Sequence, residues 1–103
     1  MLIVLTTAPN IEEAENLAEK IVAAKLAACV QILPAMKSVY VWEGKISKDA
    51  ENLLLIKTLE AKFDELEKFI QSNHIYDVPE IVAIPAEKVS QHYLKWLNES
   101  LNG

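Results

Sequence analysis

Ser38-Val39-Tyr40-Val41-Trp42-Glu43-Gly44-Lys45 reads as the end of a strand and the turn that folds it back. The alternation is strict, so Val39 and Val41 share one face while Tyr40 and Trp42 share the other. Glu43-Gly44-Lys45 supplies the hairpin turn. Upstream, Cys29-Val30-Gln31-Ile32-Leu33 is the first half of the same strand. Pro34 cannot donate to a ladder, so it predicts an edge position or a bulge between the halves. Downstream, Glu51 to Thr58 returns as the third strand.

The flanking segments follow from periodicity. Leu2 to Thr6 is an apolar run of β type that opens the chain as a buried strand. Pro9-Asn10 marks a turn, and Asn10 is a good helix cap with Glu13 three residues on. Ile11, Ala14, Leu17, Ala18, Ile21 and Val22 then recur at helical spacing, predicting a helix to about Lys25. Thr58 or Leu59 starts a second helix, striped by Phe63, Leu66, Phe69 and Ile70 and ending near Asn73. Pro79 to Ile84 reads as a fourth strand, closed by Pro85. Val89, Tyr93, Trp96, Leu97 and Leu101 fit a C-terminal helix.

The order is strand, helix, strand, strand, helix, strand, helix. Two βαβ-like halves with helices on one face predict an α+β, ferredoxin-like βαββαβ sandwich with an extra C-terminal helix. The hairpin from Val39 to Thr58 is too long for the rest of that sheet. An exposed apolar ribbon invites pairing with another chain, so a homo-oligomer is expected.

Composition narrows the class. The 103 residues read as a single domain, 1–103, without repeats or linkers. A hydrophobic content of 51% excludes a disordered chain. Net charge is −5, the ten lysines are scattered and arginine is absent, so nucleic acid is not an expected partner. The single cysteine, Cys29, cannot form an internal disulfide and suits a reducing compartment, the cytoplasm. The apolar run Met1 to Leu5 is too short for a signal peptide or a membrane span, so no membrane role is expected.

The richest stretch for chemistry is His74-Ile75-Tyr76-Asp77-Val78-Pro79-Glu80-Ile81, which packs an imidazole, a phenol and carboxylates into one loop. His74 reads as a metal ligand or an anion's hydrogen-bond donor, or as a turn histidine satisfied by backbone. Glu51 and Lys57 project to one face of their strand with Leu53 and Leu55 between them, so they either line a ligand cleft or snorkel to water. Glu80 either orients His74 or stands in solvent. Cys29, with no cation nearby in sequence, reads as a buried, inert thiol. Tyr40 and Trp42 read as packing or subunit-contact aromatics, and His92 as structural. No nucleophile–base pairing, phosphate loop or clustered metal spacing occurs, which points to a binding protein and not an enzyme.

Several segments carry a family resemblance in order along the chain. They are Leu26-Ala27-Ala28-Cys29-Val30, Pro34, Ser38 to Lys45, Lys57-Thr58, His74-x-Tyr76-x-Val78-Pro79-Glu80-Ile81 and Tyr93-Leu94-x-Trp96. Together they resemble the CutA divalent-cation tolerance family. The resemblance implies a ferredoxin-like fold and a tight homotrimer in which neighbouring subunits extend each other's sheets, similar in plan to PII-type signalling trimers. It also implies a role in tolerance to copper and other divalent ions, with copper or another divalent cation as ligand. The implied site is an inter-subunit cleft with His74 as metal ligand and Glu51, Lys57, Tyr76 and Glu80 around it. The chain departs from the family pattern at Gln31, Ile75, Asp77 and Ser90. Thr6 and Asn73 stand where the family's proposed copper site has a cysteine and a second histidine, which leaves His74 as its imidazole. The alternative implied by the same plan is a PII-like trimer that holds a small anionic metabolite through Lys57 and His74.

Overall fold

The structure is a computed structural model and describes residues 1–102. Its elements are β1 (Leu2–Ala8), α1 (Ile11–Ala23), β2 (Cys29–Trp42), β3 (Lys45–Thr58), a 3-10 turn (Glu60–Lys62), α2 (Phe63–Asn73), β4 (Val82–Pro85) and α3 (Gln91–Asn102). The strands form one antiparallel sheet in the order β2-β3-β1-β4. This is the ferredoxin-like arrangement the element order predicts, with α3 as the added helix.

Strand alternation builds the core. Leu2, Val4, Thr6 and Ala8 of β1, with Asn52, Leu54, Ile56 and Thr58 of β3, are buried on one face of the sheet. Ala14, Leu17, Ala18 and Ile21 of α1 and Leu66 and Ile70 of α2 complete that core. The helices are sealed locally. Asn10 Oδ1 accepts the Glu13 N–H at 2.8 Å, which is the expected cap. α1 stops at Ala23, short of the expected Lys25, because Lys25 adopts a left-handed conformation (φ 57°) that ends the helix. The loop that follows is pinned to the sheet by Thr58, whose hydroxyl donates to the Leu26 carbonyl at 2.7 Å.

The ribbon is longer than the sequence reading allowed. Glu43 (φ 51°) and Gly44 (φ 78°) are both left-handed, as in a two-residue type I′ turn, whose twist matches that of paired strands. Pairing therefore runs unbroken from the turn, with Trp42 opposite Lys45, and β3 begins at Lys45 instead of Glu51. β1 pairs only with Asn52–Thr58, so the rest of the ribbon projects beyond the sheet and the molecule measures 46 × 26 × 23 Å.

Pro34 sits at a bulge, as expected. Leu33 is opposite Leu53 and Met36 is opposite Glu51, so Pro34 and Ala35 together face the single residue Asn52. The extra residue shifts the alternation of everything after it. Met36, Ser38, Tyr40 and Trp42 join the face of Glu51 and Asp49. Val39 and Val41 join the face of Ala50, Lys48 and Ile46.

Three boundaries differ from expectation. β4 covers Val82–Pro85, not Pro79–Ile84: its pairing with β1 ends at Leu5 opposite Val82, and Pro79 has no N–H to extend it. α2 starts at Phe63, because Leu59 is still extended (ψ 152°) and the 3-10 turn intervenes. α3 starts at Gln91, leaving Val89 outside, with Ser90 Oγ accepting the Tyr93 N–H at 3.4 Å. The sheet's second face carries Ile3, Leu5, Leu53 and Leu55, all half-buried, with Val82 and Ile84 exposed. Among the described residues no helix is long and apolar enough to cross a membrane.

Ile21 is completely buried, so Ile21→Ala is expected to cost about 2–5 kcal/mol. Asn10→Ala removes one cap and is expected to cost about 1 kcal/mol. Urea unfolding at one fixed protein concentration measures both, and comparable losses from the two variants would contradict this division between core and cap.

Candidate functional site

The bulge and the loop after α2 build a cleft between them. The ribbon wall carries Ser38, Tyr40 and Trp42 from β2 and Asp49 and Glu51 from β3. The opposite wall is the loop Ile75–Glu80, and Thr7 of β1 lies at the base. The cleft encloses about 790 Å³, within the range of small-molecule sites.

His74 positions the loop wall. Its backbone N–H closes α2 on the Ile70 carbonyl at 2.9 Å. Its ring nitrogen Nε2 donates to the Thr7 carbonyl at 2.6 Å, just past the point where β4 stops pairing with β1. Nδ1 accepts the Tyr76 N–H at 3.0 Å. A carbonyl can only accept and an amide N–H can only donate, so these bonds select the neutral ring protonated at Nε2. The Tyr76 ring then packs on the imidazole at 4.7 Å between centroids. Its hydroxyl donates to Glu51 Oε2 at 3.2 Å, which ties the loop to the ribbon. On the ribbon itself the Tyr40 hydroxyl donates to Asp49 Oδ2.

The cleft is acidic. Asp49, Glu51, Asp77 and Glu80 line it, and no lysine does. The Tyr76 phenol is pushed up to about 12, first by burial and then by the charge and hydrogen bond of Glu51. The Tyr40 phenol is raised by its hydrogen bond to Asp49. Both phenols thus remain neutral donors to carboxylates. A concave surface of one sign concentrates counter-ions, so this one attracts cations and repels anions.

The residues singled out in the sequence fall into two groups. Glu51, Tyr76 and Glu80 come together at the cleft. His74 stands behind the loop wall with both ring nitrogens engaged by backbone, the turn-histidine arrangement, and Glu80 is not what orients it. Lys57 is elsewhere: its Nζ lies 5.4 Å from the centre of the Tyr93 ring of α3. Cys29 is half-buried, not buried, and pairs across the ladder with Lys57, a neighbour invisible from local sequence. Thr6 points under the helices, its hydroxyl buried without a partner, and Asn73 donates to the Phe69 carbonyl at 2.9 Å. Among the described residues no three His, Cys, Asp or Glu side chains gather closely enough to hold a metal ion. Asp49, Asp77, Tyr40 and Trp42 were not foreseen as cleft residues; the parity shift at Pro34 is the signal for Tyr40 and Trp42, and alternation from Glu51 along β3 the signal for Asp49.

Residues 2–100 match the sequence model of the family described as CutA1 divalent ion tolerance protein. The chloroplastic CutA 1 of Oryza sativa is 48% identical over 99 residues, covering 96% of this chain and 56% of that protein. The chain thus spans about half the length of this plant relative. The divalent-cation tolerance protein CutA of Thermus thermophilus is 43% identical over 98 residues, covering 95% of each chain. The crystal structure of CutA1 from Oryza sativa superposes with a TM-score of 0.94 at 48% identity, covering 96% of this chain and 91% of that one. The periplasmic divalent cation tolerance protein CutA from Archaeoglobus fulgidus gives 0.94 at 39% identity, covering 98% and 99%. Sequence and fold agree along nearly the whole chain, which therefore belongs to the CutA1 divalent ion tolerance family.

Proposed function

We propose that this chain acts in divalent-cation tolerance as a homotrimer, holding a divalent cation at the acidic cleft where a neighbouring copy completes the site. The observation that carries the reading is the lining: carboxylates from two separate segments and no cationic side chain. The described residues of one chain do not bring three such donors to a point, so in this reading a second copy supplies or gathers the rest. The ribbon offers the means. Val41 and Ile46, on the face away from the cleft, are 69% and 73% exposed, and Val39, which also borders the cleft, is 61% exposed, an apolar stripe that needs cover. Covering it with another copy follows from the ribbon's length, and the number three from the family resemblance of the sequence. The lone cysteine suits the cytoplasm as the place of action.

The donor chemistry ranks the ions. Carboxylate and phenol oxygens suit hard cations such as Mn²⁺ or Mg²⁺, whereas copper favours imidazole and thiolate. Copper would reach an imidazole here only if His74 gave up one of its backbone hydrogen bonds. An anionic metabolite held by Lys57 and His74 fits less well: the cleft is acidic, and within one chain Lys57 lies on Tyr93.

Light scattering at micromolar concentration is expected to give three times the chain mass of 11.5 kDa, and Val41→Lys with Ile46→Lys a smaller mass. A native protein of single-chain mass removes the assembly and the shared site with it.

Calorimetry with Mn²⁺ and with Cu²⁺ tests the ligand. Glu51→Gln is expected to weaken Mn²⁺ binding at least about tenfold, the scale of loss when a group holding or supporting a metal is removed. His74→Ala should affect Cu²⁺ more than Mn²⁺. Identical isotherms for native protein and Glu51→Gln, or no heat from either, overturn the reading.

Tyrosine absorbance followed against pH tests the loop-to-ribbon link. Tyr76 ionises at about 12 in the fold and near its ordinary 10.0 when unfolded. Its contribution to stability is therefore complete below pH 10 and is lost as pH rises to about 12. Glu51→Gln should bring the last phenol transition down; an unmoved titration would mean that Glu51 does not act on Tyr76.

A further inference from the structure

We propose that the same cleft receives an organic ammonium ligand, a short alkyl diammonium or polyamine, through its aromatic rings together with its carboxylates. The carboxylates alone would make only a solvated acidic surface. What sets this cleft apart is that Tyr40, Trp42 and Tyr76 line it as well. An ammonium over an aromatic face is attracted by the ring's quadrupole, with Trp the strongest partner, and methylene groups pack on the same rings. A bare divalent metal ion gains nothing from an indole. Yet Trp42 is 63% exposed beside the cleft, an arrangement that leaves a large apolar ring in water unless something lies against it.

The dimensions agree. A compact metal ion needs donors at one point, and the described residues do not converge there. An elongated diammonium needs the opposite: negative groups spread over a wide cleft, with apolar surface between. Asp49 and Glu51 stand on the ribbon wall, Asp77 and Glu80 on the loop wall, and about 790 Å³ lies between the walls. The phenols leave the carboxylates competent. Tyr76 takes Oε2 of Glu51 and Tyr40 takes Oδ2 of Asp49, and a carboxylate accepts through both oxygens, so each can hold its phenol and a ligand N–H together. The chain already uses this chemistry once, where the Lys57 ammonium lies 5.4 Å over the Tyr93 ring.

This inference rests on the cleft described above but neither on a bound metal nor on three copies. The test is calorimetry on the native assembly with 1,4-diaminobutane, with Mg²⁺ as the small dication of equal charge and Mn²⁺ as the metal probe. The diamine is expected to bind at least about two- to fivefold more tightly than Mg²⁺, the margin that ring contacts at exposed sites supply. Trp42→Leu should lower the ratio of diamine to Mn²⁺ affinity about two- to fivefold, and Trp42→Phe should restore most of it. Light scattering on each variant shows that the assembly is intact. Diamine binding no tighter than Mg²⁺, or a ratio untouched by Trp42→Leu, overturns the inference. Diamine binding without Mn²⁺ binding would sink the metal reading alone, and Mn²⁺ binding without diamine binding would sink this one alone.

Discussion

One extra residue in β2 decides which side chains meet on the ribbon. Pro34 and Ala35 face Asn52 alone, and the alternation of β2 relative to β3 is inverted from that point outward. Without the bulge, Val39 and Val41 would share the face of Glu51 and Asp49, and Tyr40 and Trp42 would lie on the reverse. With it, aromatic rings and carboxylates are collected on the cleft side, and the β-branched residues Val39, Val41 and Ile46 on the other. The ribbon has two faces of opposite chemistry because one position is counted twice. Proline suits that position, since a bulge is where a missing N–H costs least.

The second wall depends on a histidine doing the work of backbone. β4 pairs with β1 only as far as Leu5, and the carbonyl of Thr7 lies beyond that limit. His74 Nε2 meets this carbonyl while Nδ1 meets the amide of Tyr76, so one ring bridges a strand and a loop that do not pair directly. Only the neutral ring does both. Its imidazole is therefore used for geometry, and Tyr76 reaches Glu51 because His74 has fixed where the loop begins.

Much of this fold can be read from alternation and helical spacing, because burial of one face is what those patterns encode. The β1, α1 and α2 core follows from them, except that Ile11 and Val22 of the α1 stripe are exposed and Phe63 and Phe69 of the α2 stripe are only partly buried. Ends are less legible. Pairing up to a two-residue turn depends on Glu43 accepting a left-handed conformation, which no pattern announces. β4 stops pairing at Val82 opposite Leu5, and beyond that point a side chain, His74, meets β1 at the Thr7 carbonyl. The site was legible as a place and not as a set of roles. Glu51 and Lys57 do project to one face, but six residues of strand separate them by roughly 20 Å, so a shared face is not a shared site. Trp42 could be assigned to the cleft only by carrying the parity shift at Pro34 through the rest of β2, whereas Asp49 follows Glu51 by simple alternation once β3 is known to begin at Lys45.

Two features of the isolated chain are unbalanced, and the ribbon joins them. The reverse face exposes Val39, Val41 and Ile46 to water, which favours burial against another surface. The cleft face collects like charges, whose mutual repulsion the phenols of Tyr40 and Tyr76 offset only in part. In the proposed function a neighbouring copy covers the first and a cation neutralises the second. In the proposed assembly a neighbour that buries the reverse face also stiffens the strands that carry Asp49, Glu51 and Trp42. Ordering the cleft wall in advance lowers the entropy a cation must overcome to bind there. Assembly and binding would then be coupled through the ribbon by ordinary linkage, each strengthening the other.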